Sequence, residues 1–150
     1  MKTSEQGLDL LIAREGSRNK AYLDSVGVWT IGIGHTGPDV HAGLAWTDEQ
    51  VREAFAKDIQ RFERAVSKAV QRELKQHQYD ALVSFAFNIG EMGVANSWVV
   101  REINNGNWGA AAASFDNWHK PSEIIPRRNG EREQFKGTSF AARINERAMA

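Results

Sequence analysis

A junction between a helix and a β-hairpin is predicted in the segment "REGSRNKAYLDSVGVWTIGIGHTG", residues 14–37. It carries two carboxylates, Glu15 and Asp24, and a hydroxyl, Thr30, across a predicted junction between a helix and a hairpin. Acids that only keep a surface soluble need no fixed spacing, whereas two carboxylates that flank a glycosidic bond do. The spacing of these three side chains is therefore the first indication of chemistry in the chain.

The first predicted helix begins at Thr3 or Ser4, because both are good N-cap residues, and it ends at Gly16. Its inward face carries four residues at helical spacing: Leu8, Leu11, Ile12 and Glu15. A carboxyl group on an apolar face is partly desolvated, which favours its protonated form. The last residue of the helix is therefore a candidate proton donor.

The segment "KAYLDSVGVWTIGIGH" predicts a β-hairpin whose loop, residues 25–27, has Gly27 in the left-handed position. In that register Asp24 lies opposite Val28, and Thr30 follows on the same face. Diagonal neighbours lie about 7–8 Å apart, which leaves room for a water molecule between the two polar ends. The other face carries Trp29, Ile31, Ile33 and His35.

The rest of the chain is mostly helical in pattern. After a loop, "TGPDVHAGLA", the segment "WTDEQVREAFAKDIQRFERAV" opens with a capping box at residues 47–50 and predicts a long amphipathic helix that is broken once. An apolar helix is predicted in "QHQYDALVSFAFNIG", ending at Gly90, and a short helix in "NSWVVREINNG", ending at Gly106. The segment "NWGAAAASFDNWHK" has its apolar residues on one stripe. The segment "IPRRNGEREQFKGTSFAARINERAMA" is predicted to be a basic stretch that leads into a terminal helix.

These elements predict an α+β protein with a small β-hairpin lobe and a larger helical lobe joined by a long helix. We expect residues 1–150 to form one catalytic domain, since the chain has no linker, repeat or low-complexity tract and can bury a core without disulfides. A cleft between the lobes would be floored by the junction that carries the acids.

The composition excludes several classes of function. The formal net charge is 0, which argues against nucleic-acid binding through a broad basic field. There are no cysteines, and the histidines at 41, 77 and 119 show no ligand spacing, so we expect no metal and no cofactor. The apolar stretch at the N-terminus is too short for a signal peptide or a membrane span, so we expect a soluble protein without a secretion signal.

The motif Glu, eight residues, Asp, five residues, Thr, then Gly-x-Gly-His resembles the signature of the phage-type lysozymes of glycoside hydrolase family 24. The resemblance continues through "QYDALVSFAFNIG", "EMGVANS", Trp118 and "PRRNGEREQF", and the ending is similar to the C-terminal helix of the T-even phage member. It implies a lysozyme-like two-lobed fold. It also implies an endolysin that hydrolyses the β-1,4 bond between N-acetylmuramic acid and N-acetylglucosamine in peptidoglycan.

The family resemblance assigns a role to each residue of the motif. Glu15 would be the general acid that protonates the glycosidic oxygen, and Asp24 would stay ionised and activate water in an inverting mechanism. Thr30 would hold that water. As a purely structural alternative, Asp24 is a turn former and Thr30 an ordinary strand residue.

Four further residues match positions that contact the substrate in the family: Phe87, Asn88, Ser97 and Arg127. Core packing is the competing interpretation for Phe87. The resemblance implies that one arginine reaches the cleft and pairs with the catalytic glutamate, and Arg127 is a better match for it than Arg128. The competing interpretation is that both arginines lie on a solvated face. The resemblance also pairs His35 with Asp58, which predicts a stabilising ion pair rather than chemistry.

Two other functions compete with hydrolysis. A lytic transglycosylase needs one catalytic acid and makes an anhydro product without water, and Asp24 with Thr30 argue against it. A non-catalytic peptidoglycan-binding module would be expected to have lost a catalytic residue or to carry fused segments. We expect a monomer that binds no nucleic acid. The resemblance implies that it accumulates in the host cytoplasm and is released to the cell wall by a holin.

Overall fold

The structure is a computed structural model, and it describes residues 1–138. Two units make up this part of the chain. Among the described residues, one unit holds Met1–Leu10 and 61–138, and the other holds Leu11–Gln60. The three strands of these residues lie in the second unit and most of their helices in the first, so the predicted α+β class is confirmed. The end of the chain that is predicted as a terminal helix includes residues 139–150, which lie outside the described residues, and the single catalytic domain stays a prediction.

Helix α1 spans Glu5–Glu15 and passes from the first unit into the second. Ser4 caps its first turn, since the Ser4 hydroxyl accepts the Gly7 N–H at 3.0 Å and the Ser4 carbonyl accepts the Leu8 N–H at 2.9 Å. Gly16 ends it with a φ of 77° and an N–H bond to the Ile12 carbonyl at 2.7 Å. Both predicted ends of the helix are confirmed.

The antiparallel sheet has three strands, β1 (Arg18–Leu23), β2 (Trp29–Gly32) and β3 (His35–Thr36), in that order. The prediction of one hairpin running straight to His35 was wrong. Gly32 and Gly34 take φ values of 67° and 68°, which turn the chain back after β2. His35 nevertheless lies beside the apolar face, because it pairs directly across from Ile31.

The segment predicted as a loop after β3 returns to the free edge of β1. Ala21 N–H donates to the Leu44 carbonyl at 2.9 Å, and Trp46 N–H donates to the Asn19 carbonyl at 2.7 Å. This pairing covers the edge of the sheet that β2 does not cover. It also brings Trp46 to the sheet, where its ring packs on His35.

Two consecutive helices follow, α2 (Asp48–Asp58) and α3 (Gln60–Ala69). The capping box is present, since the Thr47 hydroxyl accepts the Gln50 N–H at 3.1 Å and the Gln50 side chain accepts the Thr47 N–H at 2.8 Å. The single break predicted in the long helix lies at Ile59, and the two units divide just after it. The inward stripe is buried as the spacing predicts: Val51, Phe55, Ile59, Phe62 and Val66.

The helical unit is built around α4 (Gln76–Ile89), whose residues 79–86 are all buried. Within residues 90–138 four more helices follow it: α5 (Glu91–Ala95), α6 (Trp98–Asn104), α7 (Trp108–Ser114) and α8 (Ile125–Lys136). Short 3₁₀ turns at Phe115–Asn117 and Ser122–Ile124 precede α8. In residues 1–138 no helix is long and apolar enough to cross a membrane.

Helix α8 was not predicted as an element of its own, since its segment was predicted only as a basic stretch that leads into a terminal helix. The inward face of α8 is mostly polar, so it shows no apolar period. Its four buried residues are Arg128, Glu131, Gln134 and Phe135. The first three have charged or amide side chains, and the fourth is apolar. Pro126 at the first turn and Gly137 in the left-handed conformation, with a φ of 82°, mark its two ends. The short α5 was not predicted either.

Candidate active site

Asp24 directly follows strand β1, at the start of the β1–β2 turn, and its side chain stabilises that turn. Its backbone N–H donates to the Val28 carbonyl at 3.0 Å, which confirms the predicted register, and Gly27 takes a φ of 84°. The side-chain oxygen Oδ1 accepts the N–H groups of Val26 and Val28, both at 2.9 Å. These two bonds fix the direction of the carboxylate, so its role in the turn and a role in chemistry are compatible.

Thr30 lies on the same face of the sheet as Asp24, as the alternation predicts. It pairs with Tyr22 on one side and Thr36 on the other, which makes it the diagonal neighbour of Asp24. Only 4% of its surface is exposed, and its hydroxyl donates to the Val28 carbonyl at 3.0 Å. The peptide groups of Val28 therefore hold both side chains, one through its N–H and one through its carbonyl.

Glu15 is the last residue of α1 and is half-buried. Gly16 turns the chain out of the helix directly after it, and β1 begins at Arg18. All three residues of the motif lie in the Leu11–Gln60 unit. The local structure thus places a carboxyl at a helix end next to the hairpin that carries the second carboxylate.

The other end of α1 is fastened by a network that the sequence did not predict. Asp80 is only 4% exposed, and its carboxylate accepts the Ser4 N–H at 3.1 Å as well as the Ser4 hydroxyl. Gln76 donates to the same carboxylate at 2.7 Å. A Cβ atom on Gly7 would come within 2.5 Å of the Asp80 side chain, so only glycine lets α1 approach this closely. These contacts hold the first turn of the helix whose last residue is Glu15.

The four predicted substrate-binding residues lie in the helical unit. Phe87 is half-buried, with its ring edge-on to Phe62 at 5.2 Å between centroids, so it contributes to packing. Asn88 is exposed, and its side-chain oxygen accepts a bond from Arg128. Ser97 is 5% exposed, and its hydroxyl caps α6 by accepting the Val100 N–H at 3.2 Å. Their contacts with sugar stay predictions.

A buried ionic cluster holds Arg127, and its centre, Glu131, was not predicted from the sequence. Arg127 Nε donates to Glu131 Oε2 at 3.2 Å, and its Nη2 donates to the Ser84 carbonyl at 2.9 Å. Arg128 donates to the other oxygen of Glu131, and the exposed surface of Glu131 is 0% and that of Arg128 is 1%. The spacing of Glu131, three and four residues after the arginines on one helix, was the signal available in the sequence.

His35 forms the predicted pair with Asp58 and a second one that was not predicted. Its Nδ1 lies 2.7 Å from Asp58 Oδ2, its Nε2 lies 3.0 Å from Asp39 Oδ2, and the Trp46 ring packs on it at 5.2 Å. Partial burial opposes the charged ring, but the hydrogen bonds and charges of Asp58 and Asp39 outweigh that effect and raise the pKa of His35. At pH values below this raised pKa, both ring nitrogens of His35 are protonated and donate to the two carboxylates.

This pair predicts a stability effect that depends on pH. Because the pKa of His35 is raised on folding, its contribution is present below the unfolded value of about 6.5 and is lost as pH rises through the folded pKa. We expect Asp58→Asn to cost about 1–2 kcal/mol at pH 5.5 and clearly less at pH 9, measured by urea unfolding. Asp48→Asn, on the same helix and bonded to Asn19 at 2.9 Å, should cost the same at both pH values. An equal cost of Asp58→Asn at both would contradict the assignment.

Comparison with known proteins identifies the family. The family model described as phage lysozyme matches residues 13–134. The endolysin of Salmonella phage P22 is 43% identical over 143 residues, which are 90% of this chain and 98% of that protein. The endolysin of Bacillus phage B103 is 35% identical over 142 residues, but these make up only 54% of that longer protein.

The solved structures agree with the sequence relatives. The crystal structure of a mutant of P22 lysozyme matches with a TM-score of 0.86 at 43% identity, and the match covers 90% of this chain and 98% of that one. A family match over residues 13–134 and endolysin relatives at 35–43% identity over most of the chain support the same function. The chain therefore belongs to the phage lysozyme family, and it is a peptidoglycan-hydrolysing muramidase of the endolysin kind.

Proposed function

We propose that this lysozyme cleaves the β-1,4 bond between N-acetylmuramic acid and N-acetylglucosamine with inversion, using Glu15, Asp24 and Thr30. The observation that carries the proposal is the shared anchor at Val28. Its N–H holds the Asp24 carboxylate at 2.9 Å and its carbonyl holds the Thr30 hydroxyl at 3.0 Å. Two polar groups on one face of a sheet, each with a fixed direction, are suited to holding a water molecule.

In the proposed reaction, the Glu15 carboxyl donates its proton to the glycosidic oxygen as the bond to the anomeric carbon breaks. Positive charge then develops on the sugar ring, and the ionised Asp24 stabilises that charge. A water held by the Thr30 hydroxyl attacks the anomeric carbon from the opposite face, and the Asp24 Oδ2 atom takes its proton. The products are a leaving sugar with a free hydroxyl and a new reducing end.

The proposed substrate contacts come from the helical unit. Asn88 offers an amide at an exposed position at the end of α4, and its bond to Arg128 fixes its direction. Arg127 carries a positive charge whose position is set by Glu131 and the Ser84 carbonyl. Phe87 and Ser97 complete the proposed set. An N-acetyl group and the carboxylates of the peptide attached to muramic acid are the groups that these side chains would recognise.

The lytic transglycosylase and the binding module are the alternatives, and product analysis separates them. Purified protein and its Glu15→Gln variant would each be incubated with Gram-negative peptidoglycan, and the fragments identified by mass spectrometry. We expect fragments that end in reducing N-acetylmuramic acid and that are absent with the variant. Anhydro ends would assign the chain to the transglycosylases, and a protein that sediments with the wall without releasing fragments would be a binding module.

The proposed role of Thr30 predicts the effect of removing its hydroxyl. Thr30→Val keeps the shape of a buried strand residue, so the fold should be retained while the hold on the water is lost. We expect kcat to fall by roughly 10²-fold with little change in KM, measured as release of reducing ends. Thr30→Ser, which keeps a hydroxyl, should recover most of the loss. Equal kcat values for Thr30→Val and the parent protein would exclude the role.

The biological setting is also proposed. Endolysin relatives act on the cell wall, and we propose that this chain acts there as a monomer after accumulating in the host cytoplasm and being released by a holin. Expression in a Gram-negative host tests this directly. Cells should stay intact until the inner membrane is permeabilised and then lyse within minutes, and lysis without permeabilisation would contradict holin-dependent release. Sedimentation equilibrium at the mass of a single chain, 16.8 kDa, would support the monomer.

A further inference from the structure

Trp98 opens α6 on the side that faces solvent. The inward side of this helix is already filled by three fully or almost fully buried residues: Val99, Val100 and Ile103. Trp98 is 53% exposed, so the packing of α6 does not account for a tryptophan at this position. A large exposed ring has an unfavourable contact with water, which a ligand that covers it would relieve.

Arg101 braces this ring. Its guanidinium carbon lies 4.4 Å from the centroid of the Trp98 ring, one helical turn further along. One face of the ring is thereby covered, while more than half of the side chain stays exposed. The brace restricts the rotamers of both side chains in the absence of ligand, so less conformational entropy would be lost on binding.

This pair, which we name the Trp98–Arg101 platform, follows one of the proposed substrate contacts in the chain. Ser97 directly precedes it in the chain, and α5 connects it to the end of α4, where Asn88 lies. The helices α4, α5 and α6 contact one another in sequence within one unit. Met92 on α5 is 79% exposed and adds a second apolar side chain on the connecting helix.

The chemistry of the platform fits one occupant, a peptidoglycan glycan strand. The faces of pyranose rings that carry axial C–H bonds stack on aromatic rings, and the free face of Trp98 offers such a ring. A guanidinium binds carboxylates through two parallel hydrogen bonds, and the peptides attached to muramic acid supply carboxylates. The whole chain has a formal net charge of 0, so Arg101 would act as a local partner for an anionic group rather than as part of a basic field.

We propose that the Trp98–Arg101 platform is an accessory glycan-binding site, where one N-acetylated sugar of the strand stacks on Trp98 and a carboxylate of the strand pairs with Arg101. The site rests on the proposed function, because it binds the same polymer outside the residues that perform the chemistry. It tightens the hold on the wall without taking part in bond cleavage. Its loss should therefore raise KM on polymeric substrate and leave kcat unchanged.

Binding is measured by co-sedimentation in the Glu15→Gln background, so that no substrate is cleaved, with two probes. The probes are purified peptidoglycan sacculi and insoluble chitin, which has N-acetylglucosamine but no carboxylates. We expect Trp98→Ala to weaken binding to both about tenfold, as for a central aromatic contact. Arg101→Leu should weaken binding to sacculi more than binding to chitin. Ile125→Ala, which truncates a side chain that is 41% exposed in the same unit, is the control and should bind as the parent does.

Two outcomes would overturn the proposal. Trp98→Ala and Arg101→Leu could both bind sacculi as Ile125→Ala does. Trp98→Ala could instead alter only the mass in sedimentation equilibrium, which would make the platform a contact between two copies of the chain. Failure of the proposed function is a separate observation, since it would appear as missing reducing N-acetylmuramic acid ends with Glu15 intact. The melting temperatures of the variants, expected within about 2 °C of the parent, confirm that each is folded.

Discussion

Glu15→Gln should abolish lysis while leaving the protein folded. The amide has the size of the carboxyl but has no proton to give to the leaving oxygen, so the step that breaks the bond loses its acid. General acid catalysis contributes roughly 10²–10⁴-fold, and we expect kcat on peptidoglycan to fall by at least about 10²-fold. The measurement is the initial rate at which reducing ends are released from sacculi, at the pH optimum of the parent protein.

The matched control for Glu15→Gln is Glu5→Gln, the same change at the first residue of the same helix. Glu5 is exposed, and we expect the full rate from this variant. Circular dichroism and the melting temperature should show that both variants are folded. A Glu15→Gln protein that keeps more than about a tenth of the parent rate would exclude Glu15 as the acid, whatever the rate of the control.

Glu131→Ala should be the most destabilising single change among the residues discussed. Its carboxylate is fully buried and lies between two guanidinium groups, with the Ser84 hydroxyl donating to it at 2.5 Å. Removal of the acid leaves two positive charges in a buried site without their counter-charge. Breaking a buried ion pair in this way costs about 3–5 kcal/mol, which for a chain of this size lowers the melting temperature by roughly 10 °C.

Glu133→Ala provides the comparison for Glu131→Ala, because it removes the same group two residues further along α8. Glu133 pairs with Arg132 at 3.5 Å and with Lys136 at 3.8 Å, and these contacts lie near the surface. Exposed ion pairs contribute about 0–1 kcal/mol, so the midpoint in urea should shift only slightly. Equal shifts for the two variants would show that the burial of the Glu131 cluster does not control stability.

The hairpin that carries Asp24 and Thr30 could be predicted from sequence because its determinants are local. Alternation places the two side chains on one face, and Gly27 selects the loop type. The same reasoning failed a few residues later, where the alternation continues through Ile31 and Ile33 although Gly32 and Gly34 turn the chain. A pattern with period 2 cannot distinguish a strand that continues from one that reverses at two glycines.

The helical unit shows a different limit. Apolar spacing located α4 and α6, but α8 buries Arg128 and Glu131, so its inward face does not look apolar. Polar side chains become interior residues only when charged or hydrogen-bonding partners satisfy them. Glu131 has two arginines on its own helix and the Ser84 hydroxyl on α4 as partners. The bond between Ser4 and Asp80 spans 76 positions in the sequence. Such pairs are set by tertiary packing, and no local spacing predicts them.

If a water molecule directed by Asp24 and Thr30 attacks the sugar, the first product has an inverted anomeric configuration. Proton NMR would follow the new reducing end during the first minutes of digestion of a short, soluble peptidoglycan fragment, before the anomers equilibrate. Inversion of a β-1,4 bond predicts that the α-anomer forms first and that the β-anomer follows by mutarotation. A β-anomer that forms first would indicate retention through a covalent intermediate, and it would contradict the roles proposed for both residues.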